Sequence, residues 1–179
     1  MDAAIEEGKF YTIEDIYALP DGTRAELIDG QIYSMAPPSW THQRISMNLS
    51  NAISSYIKNM QGDCQVLAAP FAVFLNDDDE TYLEPDISII CDDSKLDEKG
   101  CHGAPDWVIE IVSPSSKPRD YIKKMLLYHN AGVREYWIVD PEKNMVSVYG
   151  FEADLVEQYH FSEAVPVEIF ENLSIKVED

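Results

Sequence analysis

The chain has 179 residues, 45% of them hydrophobic. This length suffices for one well-cored domain and is short for two, so we expect a single domain over residues 1–179. The N-terminus has no basic stretch leading into an apolar one, and nowhere do about 18 apolar residues run uninterrupted. We therefore expect a soluble cytoplasmic protein that does not enter a membrane.

The formal net charge of −20 argues against a general polyanion binder, because such proteins carry an overall basic face. The segment 116–134 is the exception, since it holds five of the 13 basic residues against one acid, Asp120. An anionic substrate would meet the protein there. The residues that we predict to bind it are Lys117, Arg119 and Lys123.

The three cysteines are Cys64, Cys91 and Cys101. Their number is odd and they show no CxxC spacing, which favours neither a disulfide framework nor a structural zinc site. We therefore expect buried or incidental thiols.

The N-terminal third contains three predicted elements. Thr12-Ile-Glu-Asp15 has the form of a capping box with Asp in the acidic position, and predicts a short helix ending near Pro20. Residues 25–33 alternate around Asp29-Gly30, which predicts a hairpin with Glu26 on its first strand. Apolar residues then recur every three or four positions from Ile45 to Met60, which predicts a helix of about five turns with His42 in its first turn.

The rest of the chain alternates between predicted strands and one helix. Strands are predicted at 64–68 and 71–75, around Asp86 and Glu110, and in a hairpin formed by 135–140 and 145–149. The helix is expected to begin near Pro118 and to end at Gly132. Residues 151–179 are predicted to add one or two edge strands. The order indicates a mixed α/β fold around one sheet.

Two of the apolar strands each carry one carboxylate. Asp86 precedes the run Ile87-Ser-Ile-Ile90, and Glu110 interrupts the run 107–112. Two ionised acids side by side in a sheet would cost several kcal/mol unless a cation or hydrogen-bond donors compensated them, or one stayed protonated. A hard divalent ion bound by oxygen atoms would provide that compensation. Val112 occupies a strand position where a catalytic cation would be expected, but Lys124 on the following helix can reach back to Glu110.

Six ordered motifs match one known family. They are Glu26-Leu-Ile-Asp-Gly, Pro-Ser-x-x-His-Gln at 38–43, Pro85-Asp86, Gly103-Ala-Pro-Asp-x-Val-x-Glu-Ile-x-Ser-Pro-Ser115, Asp120-x-x-x-Lys124-x-x-x-Tyr128 and Gly132-Val-x-Glu-Tyr-Trp-Ile-Val-Asp-Pro141. Over residues 10–150 the chain resembles the widespread bacterial putative restriction endonuclease family of the PD-(D/E)XK nuclease superfamily. The resemblance implies a restriction endonuclease-like fold, with a mixed central sheet flanked by helices and with an N-terminal helix and hairpin.

The resemblance also implies roles for individual residues. Asp86, Glu110 and the backbone carbonyl of Ile111 would hold Mg²⁺ or Mn²⁺, and Lys124 would orient the attacking water. Glu26 would be a second ligand or a water acceptor, and His42 is a candidate for substrate contact or proton transfer. The implied activity is metal-dependent endonucleolytic hydrolysis of DNA. A homodimer is expected by analogy, because cutting both strands of a duplex needs two centres.

Each assignment has a structural alternative. Asp86 could cap a strand, Glu110 could be a structural acid, Glu26 could form a cross-strand ion pair, and His42 could be a solvated first-turn residue. Lys124 could form an exposed helical pair with Asp120. The chain as a whole could be a binding or assembly protein that keeps the nuclease fold without cleaving, which the acidic charge favours.

Overall fold

The computed structural model describes residues 9–113 and 119–178. Its α-helices are α1 (Ile13–Tyr17), α2 (Trp40–Asn59) and α3 (Met125–Ala131). A 3₁₀ turn covers Asp93–Lys95, and a π-helical segment, Arg119–Lys124, leads directly into α3. Within the described ranges, no helix has both the length and the apolar character needed to cross a membrane.

Six strands form the central sheet, in the order β11-β10-β9-β8-β5-β3. Their bounds are β3 (Gln65–Ala68), β5 (Ile87–Ile90), β8 (Trp107–Ile111), β9 (Glu135–Asp140), β10 (Met145–Gly150) and β11 (Leu155–His160). Neighbouring strands are antiparallel except β8 and β9, which are parallel and are joined through α3. The predicted mixed α/β architecture, with helices flanking a mixed sheet, is confirmed.

Three small sheets surround the central one. β1 (Ala25–Ile28) and β2 (Gln31–Ser34) form the predicted hairpin. The others consist of β4 (Val73–Phe74), β6 (Leu96–Asp97) and β7 (Gly100–His102), and of β12 (Ala164–Pro166) with β13 (Ser174–Lys176). In the C-terminal part, where one or two edge strands are predicted, β11 lies at the edge of the central sheet. β12 and β13 pair with each other and form a separate sheet.

Alternation along β8 sends its side chains to two different layers. Ile109 and Ile111 join the core cluster of Ile45 and Leu49 from α2. Val108 and Val112 join the cluster that contains Tyr128 of α3. Glu110 shares the parity of Val108 and Val112, so the strand directs its carboxylate towards the α3 layer.

Local signals set the start of α1, the turn of the β1–β2 hairpin and the end of α3. The Asp15 carboxylate accepts a hydrogen bond of 2.8 Å from the Thr12 N–H, as a capping box requires. Asp29 and Gly30 both have positive φ, at 50° and 70°, which is the type I′ geometry that joins two strands with the correct twist. Gly132 ends α3 at φ 93°, where a side chain would be strained.

The cysteine prediction is wrong for two of the three residues. Cys64 and Cys91 form a disulfide with a Cα–Cα distance of 4.0 Å, and Cys101 is a buried free thiol. Cys64 precedes β3 and Cys91 follows β5, and the register pairs Gln65 with Ile90. The two thiols therefore lie opposite each other across two antiparallel strands, a juxtaposition that cysteine spacing along the chain does not reveal.

Candidate functional site

A cleft of about 670 Å³ opens beside the ends of β5 and β8. It contains every residue that the sequence predicted for catalysis or metal binding, although these residues come from five different parts of the chain. The predicted residues that line it are Glu26, His42, Asp86, Glu110, Ile111 and Lys124.

Asp86 lies at one side of the cleft, immediately before β5. Its Oδ2 accepts a hydrogen bond of 2.8 Å from the Ile111 N–H and lies 3.1 Å from Nε2 of His42. The side chains of His42 and Asp86 are 15% and 13% exposed. Burial alone would lower the pKa of His42, but the Asp86 carboxylate and the backbone of Ile111 outweigh it and raise that pKa above its ordinary value. The solvated first-turn alternative for His42 is therefore wrong.

Lys124 lies at the other side, between two carboxylates. Its Nζ is 2.8 Å from Oε1 of Glu26 and 2.8 Å from Oε1 of Glu110. The side chain of Lys124 is 3% exposed, and those of the two acids are 0% and 5% exposed. The exposed Asp120–Lys124 pair is therefore wrong for Lys124, while the side chain of Asp120 lies outside the described residues. In the middle of this group an ammonium offsets the cost of burying two acids.

The hairpin supplies Glu26 to this group. Oε1 of Glu26 also accepts a hydrogen bond of 3.1 Å from the Glu84 N–H, which fixes the carboxylate against the segment that leads to Asp86. The residue opposite Glu26 on β2 is Tyr33, an uncharged side chain. The cross-strand ion pair considered for Glu26 is therefore wrong, because its cationic partner comes from the π-helical segment before α3.

Two further residues complete the site without having been assigned a role from the sequence. Tyr128, one turn after Lys124, donates its hydroxyl to Oε1 of Glu110 at 2.9 Å. Burial, reinforced by the charge of Glu110, raises the pKa of Tyr128 well above its usual value, so the hydroxyl keeps its proton. Arg24 lines the cleft and pairs with Glu84 at 2.7 Å. The four-residue spacing from Lys124 indicated Tyr128, whereas no pattern marked Arg24, whose position depends on how the hairpin packs.

Of the three predicted substrate-binding residues, only Lys123 has its side chain among the described residues. Lys117 lies outside the described residues, and of Arg119 only the backbone is described, at the start of the π-helical segment. Lys123 points to the hairpin, with Nζ 3.2 Å from Oδ2 of Asp29 and 3.3 Å from the Tyr33 hydroxyl. Burial would lower the pKa of Lys123, but these two partners raise it instead. Lys123 does not line the cleft, so its prediction as a substrate contact has no geometric support.

The donor chemistry of the cleft fits a hard divalent cation. Asp86, Glu110 and the Ile111 carbonyl are oxygen donors of the type that Mg²⁺ and Mn²⁺ bind. Among the described residues, no cluster of three or more histidine, cysteine or carboxylate side chains is arranged around a common point. These three groups would be the donors for such an ion, and Nζ of Lys124 lies 2.8 Å from one of them, Oε1 of Glu110.

Comparison with known proteins places the whole arrangement in one family. Residues 12–178 match the family model described as "Uma2: Putative restriction endonuclease". This match covers nearly the entire chain, including every residue of the cleft. The chain therefore belongs to the Uma2 family, as the six sequence motifs predicted.

Two curated proteins are similar to the chain. The chain is 30% identical over 125 residues to the uncharacterized protein slr1290 of Synechocystis sp. PCC 6803, a match that spans 69% of this chain and 64% of that protein. A second protein of the same organism, the uncharacterized sll1609, is 26% identical over 126 residues, which span 65% of this chain and 66% of it. The matched region is thus just under two thirds of both curated relatives.

A solved structure extends the comparison to three dimensions. It is a crystal structure described as a putative nuclease of DUF820 from Anabaena variabilis. It superposes with a TM-score of 0.75 at 26% sequence identity, and the match covers 93% of this chain and 94% of that one. The restriction endonuclease-like fold is therefore shared over almost the full length.

Proposed function

We propose that this Uma2-family protein is a metal-dependent endonuclease that hydrolyses phosphodiester bonds in DNA. The observation that carries the proposal is that Asp86, Glu110 and Lys124 line one cleft, although they are far apart in sequence. Family membership and the nuclease-fold relative support the same reaction class. Because folds host many activities, the cleft carries more weight than the fold.

Asp86, Glu110 and the carbonyl of Ile111 would hold Mg²⁺ or Mn²⁺. Such an ion, when bound, lowers the pKa of a coordinated water and neutralises charge that develops on the phosphate. The chain itself would position the substrate and supply the fixed charge. Lys124 would donate hydrogen bonds to the attacking water or to a phosphate oxygen, where it favours the more negative transition state.

The remaining cleft residues would support these groups. Glu26 and Tyr128 hold Lys124 and Glu110 in position through hydrogen bonds of 2.8 and 2.9 Å. His42, with its raised pKa, can keep a proton on Nε2 towards Asp86 at a higher pH than an ordinary histidine. Protonated His42 would thus limit the negative charge around Asp86 until a cation arrives.

The test is to incubate the purified protein with supercoiled plasmid and with single-stranded DNA, in Mg²⁺, in Mn²⁺ and in EDTA. The matched variants are Asp86→Asn and Glu110→Gln, which remove one charge each while nearly preserving shape. We expect strand scission that needs the metal and is almost completely lost in each variant, because each loses a carboxylate that would hold the metal. Scission that persists in EDTA, or that both variants retain, would refute the proposal.

A second function is favoured by two specific observations. The Lys124 ammonium lies against Glu110, and the chain has a net charge of −20, both of which suit a protein that keeps the fold for binding or assembly. Calorimetric titration with Mg²⁺ and Mn²⁺ separates the two functions. Saturable binding that Asp86→Asn abolishes supports the enzyme, whereas a protein without divalent binding and without scission supports the scaffold.

The active form would be a homodimer if the substrate is duplex DNA. Two cleavage centres are then needed to cut both strands in one encounter. Sedimentation equilibrium of the protein checks this expectation, and a monomer that linearises plasmid in a single binding event would contradict it.

A further inference from the structure

Trp40 is the first residue of α2 and is 70% exposed. The chain has three tryptophans, and the other two, Trp107 and Trp137, are completely buried in the core. A tryptophan in water loses the large stabilisation that burial of its ring would give. Its exposure is therefore a feature that packing within the chain does not explain.

The position of Trp40 connects it to the cleft. Ser39 and Thr41, on either side of it in the chain, both line the cleft, and so does Gln43, which follows by three residues on the same side of the helix. Ser39 also fixes the start of the helix, because its hydroxyl accepts a hydrogen bond from the His42 N–H. The exposed ring thus stands on the first turn of a helix whose N-terminal residues line the cleft.

Arg44 lies one turn after Trp40 and stacks on it. Its guanidinium carbon is 4.1 Å from the centroid of the Trp40 ring. Among the described residues, no carboxylate forms an ion pair with Arg44, whereas Arg24 and Lys124 inside the cleft are both paired with acids. The Nε of Arg44 is buried without a hydrogen-bond partner in the described structure. Arg44 is therefore a cation of α2 that has no acidic partner among the described residues.

We infer that Trp40 and Arg44 form a contact surface for single-stranded nucleic acid at the rim of the cleft. A base would stack on the face of Trp40 that Arg44 leaves open, and Arg44 would donate to a neighbouring phosphate. A single strand fits better than a duplex, because only an unpaired base exposes its ring face for stacking. This inference rests on the proposed function and deepens it, since it identifies where the strand approaches the carboxylates.

The burial of the other two tryptophans makes the contact directly measurable. A base stacked on Trp40 should quench the solvent-exposed part of the tryptophan emission and leave the buried part unchanged. Quenching is measured with an unlabelled single-stranded oligodeoxynucleotide, and anisotropy with the same oligonucleotide carrying fluorescein. Both titrations are done in EDTA so that no cleavage occurs. We expect quenching that saturates together with the anisotropy.

The variants separate stacking from general effects on α2. Trp40→Ala should weaken single-strand binding about tenfold, within the range for loss of one stacked base, and Trp40→Phe should retain most of the affinity. Arg44→Ala should weaken binding and make it less dependent on salt. Met60→Ala is the matched control, because Met60 is 64% exposed and caps the opposite end of the same helix. It should bind like the wild type.

The outcomes distinguish this surface from the proposed activity. Equal affinity of Trp40→Ala and Met60→Ala, or binding without quenching, would overturn the contact surface while leaving metal-dependent cleavage untouched. Binding that depends on Trp40 in a protein that never cleaves would uphold the surface and refute the enzyme. Dissociation of an oligomer by Trp40→Ala, with no effect on DNA binding, would assign the ring to a second copy of the chain and overturn the inference.

Discussion

The two sides of the cleft compensate their carboxylates in different ways. On one side, Asp86 meets a backbone N–H and a histidine, and its side chain remains 13% exposed. On the other side, Glu110 and Glu26 share Lys124, and all three side chains are at most 5% exposed. The first arrangement contains a histidine with a raised pKa, whereas the second places a lysine between two acids.

This difference predicts on which side of the cleft a substitution destabilises the fold more. A buried lysine between two acids contributes to folding and to chemistry at once, because its removal takes a cation away from two buried carboxylates. The Asp86 carboxylate is partly exposed, so it can replace His42 by water or by a cation at a smaller cost in the free energy of folding. We therefore expect the free energy of unfolding to depend mainly on the Lys124 side, and its dependence on pH to come mainly from the Asp86 side.

The largest effect is expected for Lys124→Met, which removes the ammonium and keeps much of the side-chain volume. Two buried acids would then repel each other, so we expect a loss of about 3–5 kcal/mol in the free energy of unfolding. Denaturant unfolding measures it. Addition of Glu26→Gln to Lys124→Met should recover a large part of the loss, since one carboxylate then remains. A double variant as unstable as the sum of the two single variants would contradict the shared-cation interpretation.

Tyr128→Phe comes next, because it removes one hydrogen bond to a buried carboxylate and leaves the ring. We expect a loss of about 1.5–3 kcal/mol in unfolding free energy, as for other hydrogen bonds to charged groups. If Tyr128 also positions Glu110 for a metal, Tyr128→Phe should weaken Mn²⁺ binding as well.

The sequence predicted this side of the cleft well, because the signals are local. Glu110 follows from a single acid in an apolar strand, and alternation places it on the α3 side. The spacing of Lys124 and Tyr128 puts both on one helical stripe, and both reach Glu110. What the sequence did not predict is the depth of burial. The spacing of Asp120 and Lys124 is equally typical of a solvated pair, and only the packing of the hairpin over α3 excludes water.

Other features depended on contacts between distant segments. The disulfide joins Cys64 and Cys91 across 27 positions because β3 and β5 are neighbours, and cysteine counting gave the opposite prediction. The basic segment was predicted as the substrate face from charge alone, yet Lys123 is paired with Asp29 of the hairpin. Net charge along the chain says nothing about which partner each side chain finds. That limits any prediction of a binding surface from charge.

A smaller effect, dependent on pH, is expected at His42. The pKa of His42 is raised in the folded state above its ordinary value of 6.5. The stabilisation by Asp86 is therefore fully present below pH 6.5 and is lost as the pH rises through the folded pKa. The difference in Tm between the wild type and His42→Gln should be largest in acid and should shrink on the alkaline side. Its maximum should correspond to about 1 kcal/mol, the value of one hydrogen bond.

A second histidine provides the control for this experiment. His102 also lies 3.1 Å from a carboxylate, that of Asp97, but its side chain is 50% exposed. Solvent screens such a pair, so His102→Gln should show a much weaker dependence on pH. Equal pH profiles for the two variants would show that burial beside Asp86 has no special effect on His42.

The smallest effect is expected for Lys123→Ala, which tests how sharply the two neighbouring lysines differ. Lys123 immediately precedes Lys124 in the chain, but its side chain is 35% exposed and that of its partner Asp29 is 61% exposed. Exposed pairs contribute about 0.2–1 kcal/mol, so the unfolding free energy should change by no more than that. Because Lys123 points to the hairpin and not into the cleft, cleavage should also remain close to normal. A loss of DNA affinity as large as that of Trp40→Ala would return Lys123 to the substrate face and would refute the distinction between the two lysines.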